Sequence, residues 1–140
     1  MAADDRGESG RLRVLLVEDE FVVSMTLRVQ LEALGCEVVG TARDGDSGIE
    51  MAEALKPDLI LMDIGLRGKS GVAATREVMD VAPTKIIVVT AYGDDRVQQA
   101  IDAGAQMVLM KPVLEEQLAQ AITQVTGWEC RVPQDQPEEP

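Results

Sequence analysis

Five apolar runs alternating with five segments of helical periodicity predict an α/β fold. It is a doubly wound, parallel five-stranded sheet with helices on both faces and right-handed crossovers. Two observations carry the prediction. Residues 14–17, 59–62, 86–89 and 107–110 are apolar at successive positions rather than alternating positions, which suits strands buried on both faces. The stretches between strands carry apolar residues three and four apart, the pattern of a helix with one buried face.

The elements follow in order. Arg13-Val14-Leu15-Leu16-Val17 is the first strand and runs into the acidic triplet Glu18-Asp19-Glu20. Val23, Leu27, Leu31 and Leu34 mark the first helix, stopped by Gly35. Val38-Val39 is a short second strand. Asp44-Gly45-Asp46-Ser47 turns into a helix with Ile49, Ala52 and Leu55 on one face, halted before Pro57. Leu59-Ile60-Leu61-Met62 is the third strand and ends on Asp63. After the glycine-rich loop 65–71, Ser70 caps a helix running to about Val81. Ile86-Ile87-Val88-Val89 ends on Thr90, and a helix from about Asp94 to Ala103 is closed by Gly104. Met107-Val108-Leu109-Met110 is the fifth strand, ending on Lys111-Pro112. Leu114, Leu118, Ala121, Ile122 and Val125 give the last helix its apolar face.

Composition narrows the function. The chain has 140 residues, enough for one domain of ordinary size. It is 46% hydrophobic, which supports a core, and carries a net charge of −12. That charge opposes direct binding to nucleic acid or to an anionic membrane surface. The sequence contains no histidine, which excludes a Ser-His-Asp system, a histidine-ligated zinc site and a histidine phosphocarrier. Cys36 and Cys130 form neither a CxxC unit nor a disulfide framework, and no run is long enough to span a bilayer, so a soluble cytoplasmic protein is expected. Residues 1–10 read as a flexible lead, 11–127 as the globular domain, and 128–140 as an acidic, Pro-rich tail that packs little.

The carboxyl ends of the strands hold the chemistry. They deliver Glu18 and Asp19, then Asp63, Thr90 and Lys111, all to one edge of a parallel sheet, where ligands of such sheets bind. Crowded carboxylates repel unless a cation intervenes, and a hard divalent ion of the Mg²⁺ type suits oxygen donors. Lys111 adds a compact positive charge and Thr90 a hydroxyl, both suited to phosphoryl oxygens. Each residue also has an ordinary role open to it: a strand-end Asp caps the next helix, and an acidic triplet favours a helix N-terminus. Their coincidence at the right strand ends favours a phosphoryl site. The loop at 65–71 lacks the spacing of a nucleotide-binding loop.

With these residues in place, the chain resembles the receiver domain of two-component response regulators. The segments LRVLLVEDE at 12–20, PDLILMDIGLRGKSG at 57–71, KIIVVTAYGD at 85–94 and GAQMVLMKP at 104–112 carry the resemblance, which covers roughly residues 11–127. It implies a flavodoxin-like (βα)5 fold with strand order 2-1-3-4-5. It implies that Asp63 accepts a phosphoryl group from a sensor histidine kinase, a histidine phosphotransfer protein or a small phosphodonor. Glu18 and Asp19 then correspond to the acidic pair that holds Mg²⁺ with Asp63 and the backbone carbonyl of Gly65. Thr90 and Lys111 correspond to the residues that close on the phosphoryl group, with small Ala91 leaving access open and Lys111-Pro112 often cis. The resemblance further implies output by protein contact, and homodimerisation through the face of the fourth helix, fifth strand and fifth helix is common in that family.

The sequence departs from that family at one place. Val108 stands where an aromatic residue usually responds to the threonine, and Val113 follows Lys-Pro where Phe is common. Tyr92 is the candidate substitute. The alternative reading is a degenerate receiver acting as a phosphorylation-independent binding module; the complete set Glu18, Asp19, Asp63, Thr90 and Lys111 argues against it. A phosphatase with an Asp nucleophile would need a second Asp where Gly65 stands.

Overall fold

A computed structural model describes residues 10–91, 93 and 95–130. The strands are β1 (Arg13–Val17), β2 (Glu37–Ala42), β3 (Leu59–Asp63), β4 (Lys85–Thr90) and β5 (Met107–Met110). The helices are α1 (Phe21–Ala33), α2 (Gly45–Leu55), α3 (Gly71–Val81), α4 (Asp95–Ala103) and α5 (Glu115–Thr126). Every pairing is parallel, as the sequence pattern predicts, and the sheet order is β2-β1-β3-β4-β5, as the resemblance implied.

Successive residues of the three central strands point to opposite faces, and both faces are covered. Leu15, Val17, Ile60, Met62, Ile86 and Val88 pack with Ala52, Val72, Val78 and Ala100 of α2, α3 and α4. Val14, Leu16, Leu59, Leu61, Ile87 and Val89 pack with Leu27 and Leu31 of α1 and Leu118 and Ile122 of α5. Each such burial contributes roughly 2 kcal/mol, so the strands are apolar throughout because neither face is wet.

The edge strands differ from expectation for the same physical reason. β2 extends well past Val38-Val39, because Gly40 and Thr41 need only one neighbour; a register shift between Val14 and Leu15 accommodates the extra residue. β5, read as wholly apolar, is half-buried, and Met110 is exposed. Helix ends follow the sequence closely. Asp44 and Ser70 accept hydrogen bonds from the amides of Ser47 (2.8 Å) and Ala73 (3.1 Å). α1 is capped at Leu34, and Gly35 takes the left-handed conformation beyond it (φ 94°).

Beyond Gly127 the expectation of little packing is corrected at its first residues. Trp128 and Cys130 pack against the core under α1 and α5, and the indole N–H of Trp128 donates to the Gly10 carbonyl at 3.2 Å. The remainder of the tail, 131–140, and residues 1–9 lie outside the described residues. Cys36 and Cys130 are free thiols, both pushed up by burial, Cys36 to about 12.

Candidate functional site

Four strands end at one edge, and each fixes a side chain there. The Glu18 amide donates to Ala42 O of β2 at 3.0 Å, which sets the course of the chain leaving β1. Its carboxylate turns inward and is almost fully buried. Oε2 accepts from the Glu20 amide at 3.2 Å, and Oε1 stands 3.0 Å from Lys111 Nζ. Asp63, at the last position of β3, is 5% exposed; its Oδ1 accepts from the Gly65 amide at 3.0 Å, and its Oδ2 lies 3.6 Å from Lys111 Nζ. Lys111 is held by its amide, which donates to Thr90 O at 2.8 Å, and its ammonium also lies 4.0 Å from Glu20 Oε1.

Gly71 keeps the Asp63 backbone in place. A Cβ there would sit 2.1 Å from the Asp63 carbonyl oxygen, so α3 starts this close to β3 only because residue 71 has no side chain.

The pocket at this edge is a cavity of about 250 Å³ lined by Asp19, Glu20, Asp63, Gly65, Arg67, Ala91 and Lys111. A larger cavity of about 890 Å³, with Arg13, Asp58 and Lys85 in its wall, lies at the opposite edge, where the strands begin. The titratable cluster belongs to the smaller one.

Electrostatics mark the cluster as unbalanced. Ligand oxygens of Glu18, Asp19 and Asp63 all lie within 4.8 Å of one another. Burial pushes the Glu18 carboxyl up to about 7; the Asp63 charge acts in the same direction, while Lys111 and the Glu20 amide act against it. Lys111 is driven above its ordinary value. Burial opposes its charge, but Glu18, Asp63 and Glu20 together outweigh that penalty. Glu18 Oε1 is buried without a well-aligned hydrogen bond, its only partner among the described residues being the Lys111 charge. Three hard oxygen donors, one of them so placed, fit a divalent cation of the Mg²⁺ type.

The structure thus brings Glu18, Asp19, Asp63 and Lys111 together, and puts Gly65 in the cavity wall. Thr90 is at the end of β4 as expected but is fully buried; its neighbour Ala91 lines the cavity. Lys111-Pro112 is cis. Val108 is half-buried and packs against the hydrophobic core under α3 and α4, while Val113 is buried under α1 and α5. Tyr92 lies outside the described residues.

Sequence reasoning missed Arg67. Its amide (3.3 Å) and Nε (3.5 Å) both reach Asp19 Oδ2. The signal was a cation inside a glycine-rich loop directly after a strand-end Asp. The reasoning also missed an apolar surface on α1, the helix that follows Glu20 of the cavity wall, where Phe21, Val22, Met25 and Val29 are exposed.

The family model of the response regulator receiver domain matches residues 14–123. The transcriptional regulatory protein PdtaR of Mycobacterium tuberculosis is 40% identical over 111 residues, which cover 79% of this chain and 54% of that protein. Chemotaxis protein CheY of Thermotoga maritima is 36% identical over 116 residues, covering 81% of this chain and 97% of CheY. The crystal structure of the response regulator domain of Thermotoga maritima CheB superposes with a TM-score of 0.78 at 30% identity, over 85% of this chain and 98% of that domain. The chain spans about half the length of PdtaR and nearly all of CheY. By the residues at its strand ends, its sheet order and these matches, the chain belongs to the response regulator receiver domain family.

Proposed function

We propose that this receiver accepts a phosphoryl group on Asp63 from the phosphohistidine of a sensor histidine kinase or a histidine phosphotransfer protein. It then signals through a conformational switch and contact with a target protein. The observation that carries the reading is Asp63 Oδ2. It faces a cavity, with Lys111 Nζ at 3.6 Å and the oxygens of Glu18 and Asp19 within 4.8 Å of its own carboxylate.

The Gly65 amide holds Oδ1, which leaves Oδ2 as the nucleophile. Oδ2 attacks phosphorus in line, a P–O bond forms, and the P–N bond to the donor imidazole breaks with its electron pair leaving on the ring nitrogen. Lys111 meets the charge spread over the phosphoryl oxygens, and the Thr90 hydroxyl, buried in the unphosphorylated protein, moves to donate a hydrogen bond to one of them. Ala91 leaves the approach open. Glu18, Asp19, Asp63 and the Gly65 carbonyl would hold Mg²⁺, which when bound neutralises and orients the transferring group. Water later cleaves the acyl phosphate and returns the Asp63 carboxylate, so the chemistry stays on the chain's own side chain and the chain is no enzyme toward another substrate.

The exposed apolar side chains of α1 favour a protein donor over small phosphodonors alone. Output leaves through α4, β5 and α5, toward a target protein or a second copy. With Val108 at the usual aromatic position, its carrier is something other than a ring swinging inward there. A cytoplasmic site of action suits this chemistry, and no helix among the described residues is long and apolar enough to cross a membrane.

The test is intact mass after incubation with acetyl phosphate. One phosphoryl mass is expected with Mg²⁺ and none after chelation. No uptake in either condition, together with no Mg²⁺ binding, would replace this reading with a scaffold role.

A further inference from the structure

Arg67 stands on the β3–α3 loop, and its guanidinium rests on the one oxygen of Asp19 that its own amide also reaches. The Asp19 side chain is 12% exposed and that of Arg67 is 86% exposed. The carboxylate is therefore fixed, while the cation lies on the solvent side of the pair. The loop backbone around it is tied down by the Gly65 amide on Asp63 and by Lys69, which pairs with Glu77 of α3 and lies 3.4 Å from Asp46 of α2. The arm of Arg67 can leave Asp19 without the loop moving.

Two cations line the cavity, Arg67 and Lys111. Lys111 faces three carboxylates, those of Glu18, Glu20 and Asp63. Arg67 faces Asp19 alone among the ion pairs of the described residues, and through a solvent-exposed contact of little strength. A divalent cation that binds Asp19 through Oδ2 displaces Arg67 from that oxygen, and in doing so releases a planar guanidinium at the cavity mouth. That group pairs readily with phosphoryl or carboxylate oxygens.

We infer that Arg67 is a donor-binding residue with two successive partners: it occupies Asp19 in the metal-free protein, and it receives the anionic phosphodonor once the cation has displaced it. The inference rests on the proposed function, since it assigns Arg67 to the same phosphoryl site. Its two consequences have opposite signs. Removing the guanidinium removes a competitor for Asp19 and tightens Mg²⁺ binding. It also removes the positive charge that draws in the donor and slows phosphorylation.

The experiment compares wild type with Arg67→Gln and Arg67→Lys. Mg²⁺ affinity is measured by calorimetric titration of the metal-free proteins. The second-order rate of phosphoryl uptake from acetyl phosphate is measured at saturating Mg²⁺, at low and high salt. Arg67→Gln is expected to bind Mg²⁺ about two- to fivefold more tightly, the size of an exposed ion pair. Its uptake rate is expected to fall about fivefold and to lose much of the wild-type salt dependence, as screened steering predicts. Arg67→Lys is expected to lie between the two. A purely structural role for Arg67 would not tighten Mg²⁺ binding or flatten the salt dependence. Unchanged or weaker Mg²⁺ binding in Arg67→Gln, or an unchanged uptake rate, would overturn the inference while leaving the proposed function intact. Wild type that neither binds Mg²⁺ nor takes up phosphoryl would overturn both.

Discussion

Lys111→Met is expected to lower the stability of the metal-free protein by about 2–3 kcal/mol at pH 8, and to slow phosphoryl uptake roughly a hundredfold. The ammonium lies 3.0 Å from Glu18 and 3.6 Å from Asp63, two carboxylates that are almost fully buried. Removing it leaves the two buried carboxyls in a poorly hydrated site with no counter-charge at that distance among the described residues. The loss falls at or just below the range for a fully buried pair, because Lys111 itself is partly exposed. The pH dependence has a definite sign. The folded-state value of Lys111 is raised, so its contribution is complete at pH 8 and is lost only well into the alkaline range. Near pH 5 the Glu18 carboxyl keeps its proton and one of the two stranded charges is absent, so the loss shrinks. Urea denaturation of wild type and variant at the two pH values measures both numbers.

Glu18→Gln is expected to move stability the other way. Glu18 carries a folded-state value of about 7 against an ordinary 4.5, so the folded protein holds a proton that the unfolded chain releases. Such a group favours folding below the ordinary value, and that stability is lost as the pH rises toward 7. Metal-free Glu18→Gln has no such loss. It should therefore be more stable than wild type by about 1–2 kcal/mol at pH 8, a shift of this size being discounted for its coupling to Asp63 and Lys111. Near pH 4.5 the difference should vanish. Saturating Mg²⁺ should reverse the order at pH 8, because wild type binds the ion with one more carboxylate and gains stability by linkage. Thermal unfolding in chelator and in Mg²⁺, at two pH values, reads all four quantities. A stability gain on deleting a charged side chain is the mark of a site built for a ligand, not for the fold.

The two variants together explain why the site was so legible. In a parallel sheet a strand must be apolar while it is covered, and its first charged residue marks where it emerges. Val17-Glu18, Met62-Asp63 and Met110-Lys111 each show that break in the sequence, and the parallel topology brings the breaks to one edge. The edge strands were harder to read, since one-sided pairing relaxes the demand for apolar residues. Gly40 and Thr41 thus gave no sign that β2 continues to Ala42. Contacts between distant segments left no trace. Trp128 meets Gly10 across 118 positions, and Arg67 meets Asp19 across 48; neither follows from local pattern. Thr90 was placed correctly at the end of β4, but that the cavity wall is Ala91 depends on the turn of the chain just beyond the strand.

The central claim is that Asp63 carries the phosphoryl group. Its most direct test is intact-mass analysis of wild type and Asp63→Asn after incubation with acetyl phosphate and Mg²⁺, with beryllofluoride binding measured on both. Wild type should gain one phosphoryl mass and bind beryllofluoride; Asp63→Asn should stay folded and do neither. Equal uptake by the two proteins would place the acceptor elsewhere and contradict the account.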